Sequence, residues 1–254
     1  MSNADEARRV VAGWNPRTEH VDCPEHGPQE VNVYFARASC PDCAAEQRER
    51  ARVDEQEARR ADRVRCMQVD AGLRGRFMDS TFGSYLCTTD EQRAAVSQCR
   101  ALVQTLQDSD GAGLFLIGPP GTGKTHLGAA MCHAAIAQLG MEARLAGGRE
   151  VVRMLRSTWR RDSERTETDV INELGHVGLM VLDEVGVGSG TDYELAQLFD
   201  VLDVRYQMRR PTVVLSNLPV PQLREQLGDR LFDRLREGAK FVVCDWPSYR
   251  GRHE

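Results

Sequence analysis

The sequence predicts an α/β protein: a parallel β-sheet flanked by helices, preceded by a small metal-stapled module and a charged linker helix. Three observations carry that expectation. From about residue 70 onward, short apolar runs alternate with amphipathic stretches long enough to be crossover helices. A glycine-rich loop, Gly118-Pro119-Pro120-Gly121-Thr122-Gly123-Lys124-Thr125, lies between one such run and a helix-forming stretch. Two matched Cys/His pairs fall within the first 44 residues, whereas the other cysteines are scattered singly.

Composition bounds the answer. Over 254 residues the chain is 41% hydrophobic, 28% charged and 6% aromatic, which supports a buried core and excludes a disordered or collagen-like chain. No apolar run approaches the roughly 18 residues of a membrane helix, and the polar stretch Met1–Gly13 has no apolar signal region. A cytoplasmic protein without membrane contact is expected. The net charge of −5 means that any contact with nucleic acid must come from a local basic patch. Of the 33 basic residues only Lys124 and Lys240 are lysine. Lysine and arginine differ most at a point-charge phosphate site, which singles out Lys124.

Residues 1–44 read as a zinc-ribbon-like module. Cys23-Pro24-Glu25-His26 and Cys40-Pro41-Asp42-Cys43 are two copies of one pattern, 13 residues apart, with strand-like alternation over Val31–Phe35 between them. Each proline favours the tight turn that brings two ligands to one ion. Cys23, His26, Cys40 and Cys43 form a Cys₃His set suited to tetrahedral Zn²⁺, with no position left open for catalysis. So short a segment hardly builds a core unaided, so metal ligation would supply much of its folding free energy. Residues 45–69 read as a linker helix. Between 44 and 66 there is no Gly or Pro, and six acidic residues interleave with seven arginines on a thin apolar stripe. Such a helix is either a solvated connector or a docking element.

Residues 70–254 form the third segment. Thr88-Thr89-Asp90-Glu91 reads as a capping box before a helix with Ala95, Val96, Cys99, Leu102, Val103 and Leu106 at helical spacing. The strand Leu114–Ile117 leads through the glycine-rich loop into a helix from Lys124 to Leu139, which Gly140 can end. Further strands are expected at Ala143–Ala146, Leu179–Leu182, Thr212–Leu215 and Phe241–Cys244.

The strand–loop–helix context makes Gly118 to Thr125, with His126 beside it, a P-loop for ATP. Its backbone N–H groups would surround phosphate at a helix N-terminus, where the helix dipole also favours anions. Lys124 would reach the β- and γ-phosphate oxygens, and the Thr125 hydroxyl would ligate Mg²⁺. The apolar run Leu179–Leu182 ends in Asp183-Glu184, 58 residues after Thr125. Two carboxylates at a strand's end belong at the sheet edge: Asp183 for Mg²⁺, and Glu184 to orient and polarise the attacking water. Asn217, after the next strand, could bond the γ-phosphate or that water.

These motifs, together with Gly228-Asp229-Arg230-Leu231-Phe232-Asp233-Arg234-Leu235-Arg236, the ending Trp246-Pro247-Ser248-Tyr249-Arg250 and the segment Gly72–Tyr85 with Arg76, Phe77 and Phe82, resemble the DnaC/IstB group of AAA+ ATPases. The likeness spans roughly residues 70–250. It is strongest to DnaC-type replicative helicase loaders, in the phage-like form with an N-terminal zinc ribbon. The resemblance implies an AAA+ domain that binds ATP between neighbouring subunits. It makes Asn217 a sensor 1 residue, Arg234 an arginine finger with Arg230 one turn earlier, and Arg250 a sensor 2 candidate. Only 37 residues follow Asn217, so an abbreviated lid is expected. The implied partners are a DnaB-type helicase and single-stranded DNA. The alternative within the group is an IstB-like transposition helper, which would bind duplex DNA and a transposase. A small-molecule kinase fits Asn217 and Arg234 poorly, and a switch without hydrolysis fits Glu184 poorly.

For DNA, Arg149, Arg153, Arg156 and Arg160 are spaced 4, 3 and 4 apart, as on one helical face. Val152, Leu155 and Trp159 would then face a core. The loop Val185–Tyr193 is glycine-rich and ends on an aromatic ring. In DnaC-type loaders these two regions resemble the parts that face the strand. Trp159 and Tyr193 are candidates to stack on bases, or else core residues.

Overall fold

The computed structural model describes residues 17–33, 38–185 and 192–250, with only the backbone of 192–194. The chain divides into two compact units, Met1–Asp62 and Arg63–Glu254.

In the first unit, β1 (Arg17–Cys23) and β2 (Gly27–Val33) pair antiparallel, from Arg17 opposite Val33 to Cys23 opposite Gly27. Of the strand-like stretch Val31–Phe35, the first three residues end β2; residues 34–37 lie outside the described set. Helix α1 (Pro41–Asp70) starts in this unit, and its last turns belong to the second. Proline suits a first helical position, where its missing N–H would have no partner anyway. Along its 30 residues α1 has no buried side chain, so charge pairs such as Arg52–Glu49 and Arg59–Glu55 dress a solvated rod.

The second unit holds α2 (Asp90–Thr105), β3 (Gly113–Ile117), α3 (Lys124–Leu139), β4 (Ala143–Gly147) and α4 (Gly148–Ser157). After these come α5 (Glu167–His176), β5 (Leu179–Asp183), α6 (Asp192–Gln207), β6 (Thr212–Ser216), α7 (Val220–Leu227), α8 (Asp229–Arg236) and β7 (Ala239–Val243). The five strands form one parallel sheet in the order β4-β5-β6-β3-β7.

Alternation along the strands divides the core in two. Leu114, Leu116, Leu179, Val181, Val213 and Leu215 join the cluster that includes side chains of α2 and α3. Phe115, Ile117, Met180, Leu182 and Val214 join the cluster that includes side chains of α4 to α8. Strands buried on both faces are the reason these runs carry no polar alternation. Phe115 of the second cluster stacks on the partly exposed Phe241, with ring centroids 4.5 Å apart.

Three local expectations are corrected. The capping box of α2 uses Thr89 and Gln92 rather than Thr88 and Glu91, because the Gln92 side chain reaches the backbone of Thr89. The last strand begins at Ala239 and ends before Cys244. Helix α4 stops at Ser157, so Arg160 and Trp159 lie beyond it and the predicted four-arginine helical face is shortened to three. Among the described residues, no helix is long and apolar enough to cross a membrane.

Candidate nucleotide site and metal centre

β3 runs down the sheet and ends at Ile117, where the glycine-rich loop turns into α3. Gly121 and Gly123 take φ of 86° and 88°, values a side chain would strain, and a Cβ on Gly123 would lie 2.6 Å from the Tyr85 ring. Two of the loop's carbonyls are bonded on the side of the C-terminal stretch and Tyr85. Thr122 O accepts from Trp246 Nε1 at 2.8 Å and from the Tyr85 hydroxyl at 2.9 Å, and Gly121 O accepts from Tyr249 N at 2.9 Å. A trans peptide sets C=O and N–H on opposite sides. Each of these bonds therefore turns an amide, that of Thr122 or Gly123, to the side facing away from the C-terminal stretch. Trp246 and Tyr85 are buried, and burial pushes the Tyr85 phenol upward, so it stays a proton donor.

The Lys124 ammonium crosses the hollow to Gly118 O at 2.7 Å and Pro119 O at 2.8 Å, with burial lowering its pKa. Thr125 Oγ1 donates to Asp183 Oδ2 at 2.8 Å, which joins the start of α3 to the end of β5. Asp183 Oδ1 accepts from Glu184 N at 2.7 Å, and Glu184 is exposed in a left-handed conformation with φ 54°. Hydroxyl and carboxylate oxygens side by side form a hard donor set that fits Mg²⁺. These residues line a cleft of about 680 Å³ together with Phe77, Arg149, Arg153 and Arg156. The three arginines of α4 therefore face the same cleft as the carboxylates.

Asn217 follows Ser216, which pairs with Ile117 in the sheet register. Ser216 itself bonds Val185 O and Leu218 N, so this serine braces the strand ends beneath Asn217. His126 reaches Thr81 O at 2.9 Å on the Phe77–Tyr85 segment. Arg250 follows Tyr249 beside the loop, its backbone N bonded to Ser248 Oγ at 3.0 Å.

Arg234 sits elsewhere. It pairs with Asp203 and lies over the rings of Phe199 and Tyr206, 5.1 and 5.3 Å from their centroids. Arg230, exposed, covers the Phe199 ring at 5.0 Å. Arg234 lines a cleft with Gly113, at the start of β3, while the P-loop is at its end, about 13 Å along the strand. Trp159 is 54% exposed, not in a core, and its indole N–H bonds Glu167 at 3.4 Å. The Tyr193 side chain and residues 186–191 lie outside the described set.

In the first unit, Cys23, His26, Cys40 and Cys43 bring their ligand atoms within 4.8 Å of one another. The Nδ1 of His26 lies 3.6, 3.7 and 3.4 Å from the sulfurs of Cys23, Cys40 and Cys43, and Cys23 and Cys43 are 3.4 Å apart. Tetrahedral zinc with bonds of 2.0–2.3 Å requires edges of roughly 3.5–3.8 Å. The set fits Zn²⁺. Its groups also pull against one another. Backbone N–H groups of His26 and Glu25 lower Cys23 to about 6, the bond to Cys23 raises His26 to about 9, and that to Cys23 pushes Cys43 up to about 12. A divalent cation is what lets three thiolates and a neutral imidazole share one centre.

Sequence reasoning missed Tyr85, Trp246 and Tyr249 as braces of the loop, and Glu46, which bonds His26 Nε2 at 3.1 Å. The polar-tipped aromatic residues Trp246 and Tyr249 in the C-terminal stretch and Tyr85 in the Gly72–Tyr85 segment were the available signal. Nothing in the spacing pointed to Glu46.

Residues 32–254 match the family described as IstB-like ATP binding protein. Over 183 residues the chain is 32% identical to the replicative helicase loader DnaC of Escherichia coli K12, covering 72% of this chain and 74% of that one. Identity to the DnaC loader of Buchnera aphidicola subsp. Schizaphis graminum is 27%, covering 88% and 91%. The crystal structure of the DnaC helicase loader superposes with a TM-score of 0.61 at 20% identity, over 67% of this chain and 99% of that one, a likeness of fold.

Proposed function

Because the chain belongs to the IstB-like ATP binding protein family, we propose that it is an ATPase that loads a hexameric, DnaB-type replicative helicase onto single-stranded DNA. The observation that carries the reading is the joining of Thr125, Asp183 and Glu184 at one sheet edge, with Arg234 at the other. An arginine that distant from its own P-loop can serve a γ-phosphate only in a neighbouring copy.

The roles follow from the chemistry. The amides of Thr122 and Gly123 hold phosphate, and Lys124 trades its two carbonyl partners for phosphate oxygens. Thr125 and Asp183 hold Mg²⁺, which when bound supplies positive charge to the β- and γ-phosphate oxygens. Glu184 orients water and accepts its proton, and Asn217 bonds that water or the γ-phosphate. Arg234 from the next subunit, flanked by Arg230, neutralises charge as the γ-phosphoryl leaves. Arg250 lies near enough to the loop to add a second positive group.

Arg153, Arg156 and Arg160 hold the DNA backbone, and Trp159 and Tyr193 stack on bases. The Zn²⁺ centre of Cys23, His26, Cys40 and Cys43 builds a module of residues 1–44 that, with the 45–69 linker, docks the helicase, ahead of the ATPase domain over 70–254. The transposition-helper reading ranks second, since the curated relatives above are helicase loaders.

The test is competitive capture from a defined mixture of a DnaB-type hexamer and an insertion-sequence transposase. Retention of the helicase, followed by its ATP-dependent transfer to single-stranded DNA, is expected. Retention of the transposase alone would overturn the reading. Mixing Arg234→Ala with Glu184→Gln, each inactive alone, should recover part of the ATPase rate. No recovery in demonstrated mixed assemblies would assign Arg234 to its own subunit.

A further inference from the structure

We propose that Glu46 is the outer-sphere partner of a zinc-bound His26, and that through this bond the metal fastens the first two turns of α1. The proposal rests on the zinc reading above and adds a residue that is not a ligand.

An imidazole has two nitrogens with separate duties. The Nδ1 of His26 faces three sulfurs at 3.4 to 3.7 Å, while Nε2 points away to Glu46 Oε1 at 3.1 Å. If Nδ1 gives its lone pair to a metal, the ring proton resides on Nε2 and is donated to the carboxylate. That bond fixes the tautomer, sets the plane of the ring and makes Nδ1 the stronger donor. The other Glu46 oxygen lies 4.0 Å from Arg50, one turn farther along α1, so the carboxylate keeps a cationic neighbour while one oxygen bonds the ring.

The second half of the argument concerns the helix. Cys43 and Glu46 are three residues apart on α1 and so share a face. Asp42, in the first turn, accepts from Gln29 of β2. A helix with no buried side chain has little to hold its start in place. Here the β1–β2 hairpin grips it at Asp42, at Cys43 through the ligand cluster and at Glu46 through His26. An exposed His–Glu pair alone would contribute little. Its consequence should therefore be read in metal affinity.

The test uses the full-length chain and competition for zinc by a chromophoric chelator. Glu46→Ala should hold one zinc per chain at saturation, with affinity lowered roughly ten- to hundredfold. Glu46→Gln keeps an acceptor and loses the charge, so it should fall between that variant and the unaltered chain. Glu49→Ala removes the same charge from an ion pair with Arg52 on the same helix and should change affinity less than twofold. In the zinc-loaded protein, amide exchange over residues 41–50 should be faster in Glu46→Ala than in Glu49→Ala. Equal zinc affinity in Glu46→Ala and the unaltered chain, or an equal loss in Glu49→Ala, would overturn the role of Glu46 while leaving the ligands intact. Absence of zinc from the unaltered chain, with its thiols reduced, would overturn the ligand reading and this proposal together.

Discussion

The two units hold themselves together by opposite means. In the α/β unit, two apolar clusters clasp a five-stranded sheet, and the loop of the nucleotide site is laid over a finished core. In the first unit, a hairpin of seven-residue strands and the start of a solvated helix have few buried side chains, two of them the cysteines Cys23 and Cys40. One unit is a fold that carries a candidate site; under the proposed zinc reading, the other is a site that makes a fold. The difference teaches where a mutation acts: on chemistry in the larger unit, on existence in the smaller.

The strongest way to break that contrast is to remove the metal. Chelation, or Cys40→Ser, should abolish the ordered hairpin, seen as loss of its amide protection. The melting transition of the α/β unit should shift by no more than about 2 °C, a change under about 1 kcal/mol for a unit that size. A hairpin that stays protected without metal would erase the distinction.

Next in size come the substitutions in the candidate nucleotide site. Lys124→Ala should weaken ATP binding by about a hundredfold, because the helix dipole and amides alone remain. Glu184→Gln should bind ATP within a few-fold of normal and lose roughly 10²–10⁴ in hydrolysis rate. Isothermal titration and single-turnover assays separate the two, and equal loss of affinity in both would mean that Glu184 holds nucleotide rather than water. Neither change should cost much stability, as expected of a site laid over a core.

Trp246→Ala sharpens the boundary between the categories. It empties a buried site and frees the Thr122 carbonyl, so it should cost about 3–5 kcal/mol in denaturant unfolding. Trp246→Phe keeps most of the volume, and it should bind ATP more weakly while remaining close to normal stability. The smallest effect is expected at Trp159. Its alanine variant should stay within about 0.5 kcal/mol of normal stability. If the ring stacks on a base, the same variant should lose about 1–3 kcal/mol in single-stranded DNA affinity.

How much of this was legible depended on whether the signal was local. The strands at Leu114, Leu179 and Thr212 and the helix Lys124–Leu139 were visible because doubly buried strands are nearly continuous apolar runs and because Gly140 ends its helix in a left-handed turn. The cluster of Cys23, His26, Cys40 and Cys43 was visible because each pair is closely spaced in sequence and the two pairs share one pattern. Contacts made over long separations were not. The bond from Trp246 to Thr122 spans 124 residues, and that from Glu46 to His26 joins a helix to a hairpin. The helical face drawn through Arg160 failed because spacing alone does not say where a helix ends. The burial expected of Trp159 failed with it.

The left-handed backbone at Glu184 has a consequence for evolution in the laboratory. That conformation costs an ordinary side chain about 1 kcal/mol or more, and asparagine tolerates it better. Glu184→Asn should therefore melt somewhat higher than the unaltered protein, while placing its side chain too short and too neutral to activate water. Under the proposed role of Glu184, heat resistance and turnover pull position 184 in opposite directions. A library screened for thermal survival alone would drift toward proteins that grasp ATP firmly and leave it intact.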